Sequence, residues 1–272
     1  MPPRARTWTE ATCYRFRMMR FQASAHLHQP SADGLKPLGD ASREVTTPSR
    51  QDVQTAMRDW LDPKSYPCIP AVQSMTKHEY LVGLYGALGQ GRHNRALAQD
   101  LLFFREQQRQ SQSLYLSFWA VFAPEPSLSE EEFEARMWRE LSFLTSHTDL
   151  QEPWDPLFSS DPADPRFCFS LGGDAFFIVG AHPRSSRLAR RFPYPAVIFN
   201  LYDQFEELDR RGQYTAIVRK NRERDVKFQG SVNPMVEQYG DKWESIQFSG
   251  RQNTSEWKCP FQHGLKPPES TS

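Results

Sequence analysis

The chain has 272 residues, of which 38% are hydrophobic and 13% aromatic, enough to bury a substantial core in one large domain or two small ones. Lysine plus arginine and aspartate plus glutamate number 33 each, so the net charge is zero and gives no overall field that attracts nucleic acid or an anionic membrane. The four cysteines form neither a disulfide framework nor a CxxC zinc module, and no segment reaches the ~20 apolar residues of a membrane span, so we expect a cytoplasmic protein with reduced thiols.

The N-terminal 50 residues differ in composition from the rest of the chain. Residues 22–50 are rich in proline, glycine and serine and nearly free of aromatic residues, which is typical of a disordered or loosely attached segment. The basic residues before them lack the continuous apolar stretch of a secretory signal. We therefore predict a leader over residues 1–50, one domain over residues 51–262 and a flexible tail over residues 263–272.

From residue 51 onward, the apolar pattern predicts a succession of helices and strands. Apolar residues at helical spacing predict helices over residues 52–61, 94–110, 130–144, 204–211 and 214–227. Short apolar runs between turn residues predict strands over residues 80–85, 114–122, 166–171, 175–180 and 196–200. Gly172 and Gly173 indicate an antiparallel hairpin. This mixture predicts a single α+β domain with a mixed, partly antiparallel sheet packed by helices.

The most acidic stretch of the chain is a helix start rather than a metal site. Ser129 precedes Glu130, Glu131 and Glu132, and the spacing of Ser129 and Glu132 is that of a capping box. Acidic residues in the first turn also suit the helix dipole.

His182 follows the predicted strand over residues 175–180, at a turn bounded by glycine and proline. Strand ends are common positions for functional side chains, although a turn histidine bonded to the backbone is the commoner explanation. Arg187, Arg190 and Arg191 follow at i,i+3 and i,i+4 spacing, which would let two or three of their guanidinium groups share one helical face and bind a carboxylate or phosphate. A solvated charged turn explains the arginines equally well.

Two asparagines and a glutamate are candidates for a polar site. Asn200 ends a predicted strand, and Glu206 lies early in the following helix, where it could accept a cationic substrate; helix capping is the alternative explanation for this segment. Asn233 lies in the turn-rich segment 229–235 and could serve the same site.

Cys259 lies near the end of the predicted domain. Its spacing from His263 would suit zinc, but the second half of a tetrahedral site is missing nearby, unless Cys68 converges on it in space. The residues alone favour a buried thiol, then a metal ligand, then a nucleophile with His182 as its base. The GxSxG, HExxH, P-loop and GxGxxG fingerprints do not occur.

Several motifs together resemble the YqcI/YcgG family between Tyr66 and Phe261. They include YPC at residues 66–68, FFIVGAHP at 176–183, SRLARRFP at 186–193, QGSVNPM at 229–235 and WKCPF at 257–261. Each motif is weak alone, whereas the set is specific. Characterised members are heme proteins of secondary metabolism that hydroxylate the guanidine nitrogen of arginine. The resemblance therefore implies heme b as the cofactor, a guanidino or amine metabolite as the substrate, and dioxygen with an external electron donor, or peroxide.

The resemblance also implies roles for the candidate residues. Cys259 is the preferred axial ligand of the heme iron, because a thiolate donates electron density that favours O–O cleavage; His182 is the alternative and Cys68 the third choice. The expected heme-propionate ligands are Arg187, Arg190 and Arg191, and the expected substrate-binding residues are Glu206, Asn200 and Asn233. A heme sensor or carrier without turnover and a metal-stabilised interaction protein are the competing functions.

Overall fold

A seven-stranded mixed sheet forms the centre of the protein. The structure is a computed structural model that describes residues 21–40, 48–111, 113–150, 153–233 and 244–268. The strands are β1 (Leu27–Ser31), β2 (Gly34–Pro37), β3 (Tyr80–Leu84), β4 (Ser117–Val121), β5 (Ser170–Leu171), β6 (Asp174–Ala181) and β7 (Ala196–Leu201). Their order across the sheet is β2-β1-β3-β4-β7-β6-β5, with β3 and β4 parallel and the other neighbours antiparallel. The predicted α+β fold is confirmed.

Six α-helices within the described residues pack on this sheet. They are α1 (Arg50–Trp60), α2 (Ile69–Thr76), α3 (Asn94–Ser111), α4 (Glu130–Leu144), α5 (Tyr202–Arg210) and α6 (Tyr214–Gln229). Apolar side chains of α3 and α4 pack on what we call the first face, and those of α1 and α2 on the second face. Both faces are covered, which explains why β3 and β4 are buried along their whole length and read as continuous apolar runs.

Side chains alternate between the two faces along each central strand. On β4, Phe118 and Ala120 belong to the core of the first face, whereas Trp119 and Val121 belong to that of the second. On β6, Ile178 packs on the first face and Val179 on the second. This alternation fixes which loops and strand ends can contribute to one site.

One predicted helix start carries a clear local signal, whereas another helix was missed. The Ser129 hydroxyl accepts from the Glu132 amide at 3.2 Å, and the Glu132 carboxylate accepts from the Ser129 amide at 2.9 Å, so the predicted capping box is confirmed. Helix α2 lies outside the predicted helices, because the prolines within residues 66–70 indicate a break in the chain just where this helix begins. Proline is tolerated in the first turn of a helix, where its missing N–H would have no intrahelical partner.

Part of the predicted leader belongs to the sheet. Strands β1 and β2 form a hairpin, β1 pairs with β3, and Leu27 is fully buried. The amide and hydroxyl of Ser24 donate to the buried Asp100 carboxylate at 2.7 and 2.6 Å. The prediction of a loosely attached segment therefore fails between residues 22 and 40, because a few apolar side chains and the β3 edge suffice to hold it. Residues 1–20 and 41–47 lie outside the described residues.

The beginning of the predicted tail also contacts the domain. The Gly264 amide donates to Thr145 Oγ1 at 2.9 Å, and His263 Nε2 lies 2.6 Å from the Ser160 carbonyl oxygen. Residues 269–272 are outside the described part of the chain. Among the described helices, none has the length and apolar character required to cross a membrane.

Candidate functional site

A cavity of about 290 Å³ lies on the second face of the sheet. Trp119 and Ile198 contribute to its sheet side, and residues of α2, α5 and α6 contribute to its walls. Most of the lining is apolar or aromatic, and the polar exceptions include Cys68, Arg187, Arg190, Asn200, Asn233 and Glu244. A largely apolar lining with a few placed polar groups is typical of small-molecule and cofactor sites, although most such sites are larger than ~300 Å³.

Cys68 is held at the cavity by contacts with a distant helix. It immediately precedes α2, and the first amide of that helix, at Ile69, donates to Asn221 Oδ1 of α6 at 2.9 Å. Arg224 of α6 donates to the Tyr66 carbonyl at 2.9 Å. The backbone is therefore bonded to α6 on both sides of the thiol. Of the cysteines that the structure describes, Cys68 alone lines this cavity.

The surroundings of Cys68 act on its thiol in two directions. Burial raises the pKa of the thiol, whereas the Ala71 amide and the cationic Arg190 and Arg224 act to lower it. A thiolate is the form of cysteine that binds metals, and positive charge and a helix N-terminus both stabilise it. Burial prevails, so the pKa of Cys68 lies above its usual value and the two arginines offset the effect of burial only in part.

Arg187 lines the cavity but is already engaged with a carboxylate. Its Nη2 lies 2.5 Å from Asp225 Oδ2, and both side chains are largely buried. The same carboxylate oxygen accepts from the Asn233 amide at 2.8 Å. An anionic ligand at Arg187 would therefore compete with Asp225.

Two of the three arginines, Arg187 and Arg190, both line the cavity, but no α-helix aligns all three. Residues Leu188–Arg190 form a single 3-10 turn. Arg190 is buried, with Nη1 bonded to the carbonyls of Gly180 and Phe248 at 3.0 and 3.2 Å. Arg191 lies outside the cavity lining, and its Nε donates to the Ser185 carbonyl at 2.8 Å. One 3-10 turn is too short to align three side chains, so each guanidinium has its own partners.

Asn200 and Asn233 both line the cavity. Asn200 projects from the second face of β7, since its neighbours Phe199 and Leu201 belong to the core of the first face. Its Nδ2 donates to the Phe177 carbonyl at 3.4 Å. The structure thus brings together two residues that the sequence singled out, and their roles toward a substrate stay a prediction.

Glu206 is exposed and lies outside the cavity lining, whereas Glu244 lines the cavity. Glu244 begins a 3-10 turn over Glu244–Gln247, and the Tyr202 hydroxyl donates to its carboxylate. Burial raises the pKa of Glu244 to about 7. Sequence reasoning missed this residue because it lies in an irregular stretch without periodicity or a motif.

The profile of the YqcI/YcgG family matches residues 57–262, well over half of the chain. The chain belongs to this family. The matched range begins within α1 and includes every cavity residue discussed above, from Cys68 to Glu244, whereas β1 and β2 precede it. No curated protein and no solved structure matches the chain.

Within this YqcI/YcgG domain, Cys259 lies on the opposite side of the sheet from the cavity. It packs against the apolar cluster of the first face, which includes Trp138 and Phe261. Burial raises the pKa of its thiol to about 12, and the charge of Glu134 acts in the same direction. These surroundings favour the neutral thiol rather than a thiolate ligand.

His182 of the YqcI/YcgG domain is also on the first face. It is 1% exposed, and its ring stacks on Phe133 with centroids 4.5 Å apart. Burial lowers the pKa of its imidazole, and Nδ1 has no hydrogen-bond partner among the described residues. Neither His182 nor Cys259 lines the cavity, so the third-ranked ligand in the sequence prediction, Cys68, is the one that the fold places there.

Proposed function

We propose that this YqcI/YcgG protein is a heme-dependent N-oxygenase that hydroxylates a guanidine nitrogen of arginine or of a related guanidino or amine metabolite. The observation that supports this proposal is the cavity on the second face, which combines a single described thiol with aromatic walls and a partly buried carboxyl group. Family membership is consistent with the proposal.

The residues of the cavity fit a heme in three respects. Cys68 can supply the one axial ligand that a heme requires, and Arg190 and Arg224 supply positive charge beside a thiolate. Aromatic side chains such as Trp60 and Phe177 supply apolar surface for a macrocycle. The propionates fit less well at the predicted arginines, because Arg187 and Arg190 already have protein partners.

A bound heme would supply the activation of dioxygen or peroxide that N-hydroxylation requires. The contacts of Asn221 and Arg224 with the backbone around Cys68 would keep that thiol fixed toward the cavity. The apolar lining would exclude bulk water from the substrate nitrogen, and Asn200 would offer it a polar contact. The proposal also includes a source of electrons, which is an external donor or peroxide. It further includes a cytoplasmic location.

Absorption spectroscopy of the purified protein tests the proposal. The protein is expressed with a heme precursor, or titrated with hemin, and we expect a Soret band that saturates at one heme per chain. The heme-loaded protein is then incubated with arginine, oxygen and a reductant, and hydroxylated product is measured by mass spectrometry. Absence of a Soret band would contradict both the enzyme and the heme carrier.

Two other functions are separated by the same experiment. Heme binding without oxygen-dependent product from arginine or other guanidines would favour a heme sensor or carrier. For a metal-stabilised interaction protein, the described part of the chain offers no group of three or more His, Cys, Asp or Glu residues that could hold an ion.

A further inference from the structure

The 3-10 turn over Glu244–Gln247 presents two side chains to the cavity. Residues three apart lie above one another in a 3-10 helix, since it has three residues per turn. Glu244 and Gln247 have this spacing, and both line the cavity. The turn therefore places a carboxyl group and an amide on the same side.

Both side chains offer hydrogen-bond acceptors with few partners. Gln247 Oε1 is buried and has no hydrogen-bond partner within the described residues. A buried acceptor without a donor is costly, so such an atom calls for an explanation, and a missing ligand is one. In the described structure, Glu244 is bonded through Oε2 to the Tyr202 hydroxyl, and Oε1 is available as a further acceptor.

Two of the cationic side chains that line the cavity already have protein partners of their own. Arg187 is paired with Asp225, and Arg190 is bonded to backbone carbonyls, including that of Gln247 at 3.4 Å. Arg222 lines the cavity from α6. Burial is the cause that raises the pKa of Glu244. A positive charge brought by a ligand would compensate this partly buried carboxylate.

We propose that Glu244 and Gln247 bind the cationic head group of the substrate, a planar or tetrahedral group with several N–H donors and no acceptor. A guanidinium matches this description best, because its five N–H donors can reach a carboxylate and an amide oxygen together. Calling the ligand a substrate rests on the proposed function, whereas the binding site itself does not require heme.

The test is binding of three small probes to the heme-free full-length protein by saturation-transfer NMR. The probes are methylguanidinium, methylammonium and neutral methylurea. We expect methylguanidinium to bind most tightly and methylurea to show no measurable binding. Glu244→Gln should weaken methylguanidinium binding about tenfold or more, as expected for loss of a hydrogen bond to a charged group. Glu223→Gln, which changes an exposed glutamate of α6 outside the cavity lining, is the matched control and should bind like the wild type.

Two further measurements keep the outcome decisive. The wild-type affinity for methylguanidinium should rise from pH 6 to pH 8, because the carboxyl group must ionise, and the profile should be flat in Glu244→Gln. Gln247→Leu removes the acceptor that has no partner, so it should fold normally and still bind the probe more weakly. Equal binding by Glu244→Gln and the wild type, or no binding of any cation, would overturn this site. Heme binding would be unaffected by that result, so the two proposals fail separately.

Discussion

Cys68 and Cys259 lie on opposite faces of the central sheet. Cys68 packs with the core of the second face and lines the cavity, whereas Cys259 packs with the core of the first face. One heme cannot reach both thiols through a sheet whose central strands are buried on both sides. This separation gives the first prediction.

Cys68→Ala should remove the thiolate signature of the heme-loaded protein, that is, the red-shifted Soret band of its ferrous CO complex. Cys259→Ala and His182→Ala should keep this band, because neither residue lines the cavity. The measurement is the absorption spectrum of each variant at equal heme loading. If Cys68→Ala kept the red-shifted Soret band and Cys259→Ala lost it, Cys259 would be the axial ligand, as the sequence predicted.

Asp225→Asn should lower the free energy of unfolding by about 3 kcal/mol, because removing one partner of a buried ion pair leaves the other charge uncompensated. Arg187 and Asp225 are 2.5 Å apart, with side chains 11% and 12% exposed. Urea denaturation measures the change. The control is Glu207→Gln. The arginine partners of Glu207 are largely exposed, so this substitution should lower the free energy of unfolding by less than about 1 kcal/mol. Similar losses in both variants would show that the buried pair contributes little.

Glu140→Gln should become more stable relative to the wild type as the pH rises from about 5 to 8. Glu140 accepts from the Gly89 and Gly91 amides, and burial raises its pKa from 4.5 to about 7. Between these values the folded protein binds more protons than the unfolded chain, so the wild-type stability is highest at low pH and falls as the pH rises. Glutamine keeps an acceptor for the two amides and does not titrate.

Urea denaturation of both proteins across this pH range checks the Glu140 prediction. Asp100, whose pKa is raised by burial to about 6, and Glu244 titrate in both proteins, so their contributions cancel in the difference. A difference that does not change with pH would show that Glu140 is ionised in the folded protein with an ordinary pKa.

Deletion of residues 1–40 should lower the free energy of unfolding by about 2 kcal/mol or more and promote self-association. The deletion removes the buried Leu27 and exposes the edge of β3, which β1 covers. Urea denaturation and size-exclusion chromatography check the two effects. Ser24→Ala, which removes one hydrogen bond to Asp100, should cost only about 1 kcal/mol and leave the protein monodisperse. A truncated protein as stable as the full chain would show that the hairpin is dispensable.

Local sequence signals were sufficient for most of the secondary structure. The capping box of Ser129 and Glu132 and the hairpin at Gly172 and Gly173 are built by residues a few positions apart, and both occur as predicted. The strand predicted over residues 166–171 is shorter, covering Ser170–Leu171, although Phe167 and Phe169 are buried as an apolar run requires. Burial and strand pairing are separate properties, and only burial can be read from apolar residues alone.

The sequence by itself determined the α+β composition, the family and a list of candidate residues that includes Cys68, Asn200 and Asn233. Only the tertiary structure decided which of them meet, because contacts such as that between Ile69 and Asn221 join positions 152 residues apart. Side chains alternate between faces along a strand, so the strand order and the packing of helices select Cys68 over Cys259 and Glu244 over Glu206 for the cavity. No local pattern carries that information, since it resides in the long-range pairing of the sheet.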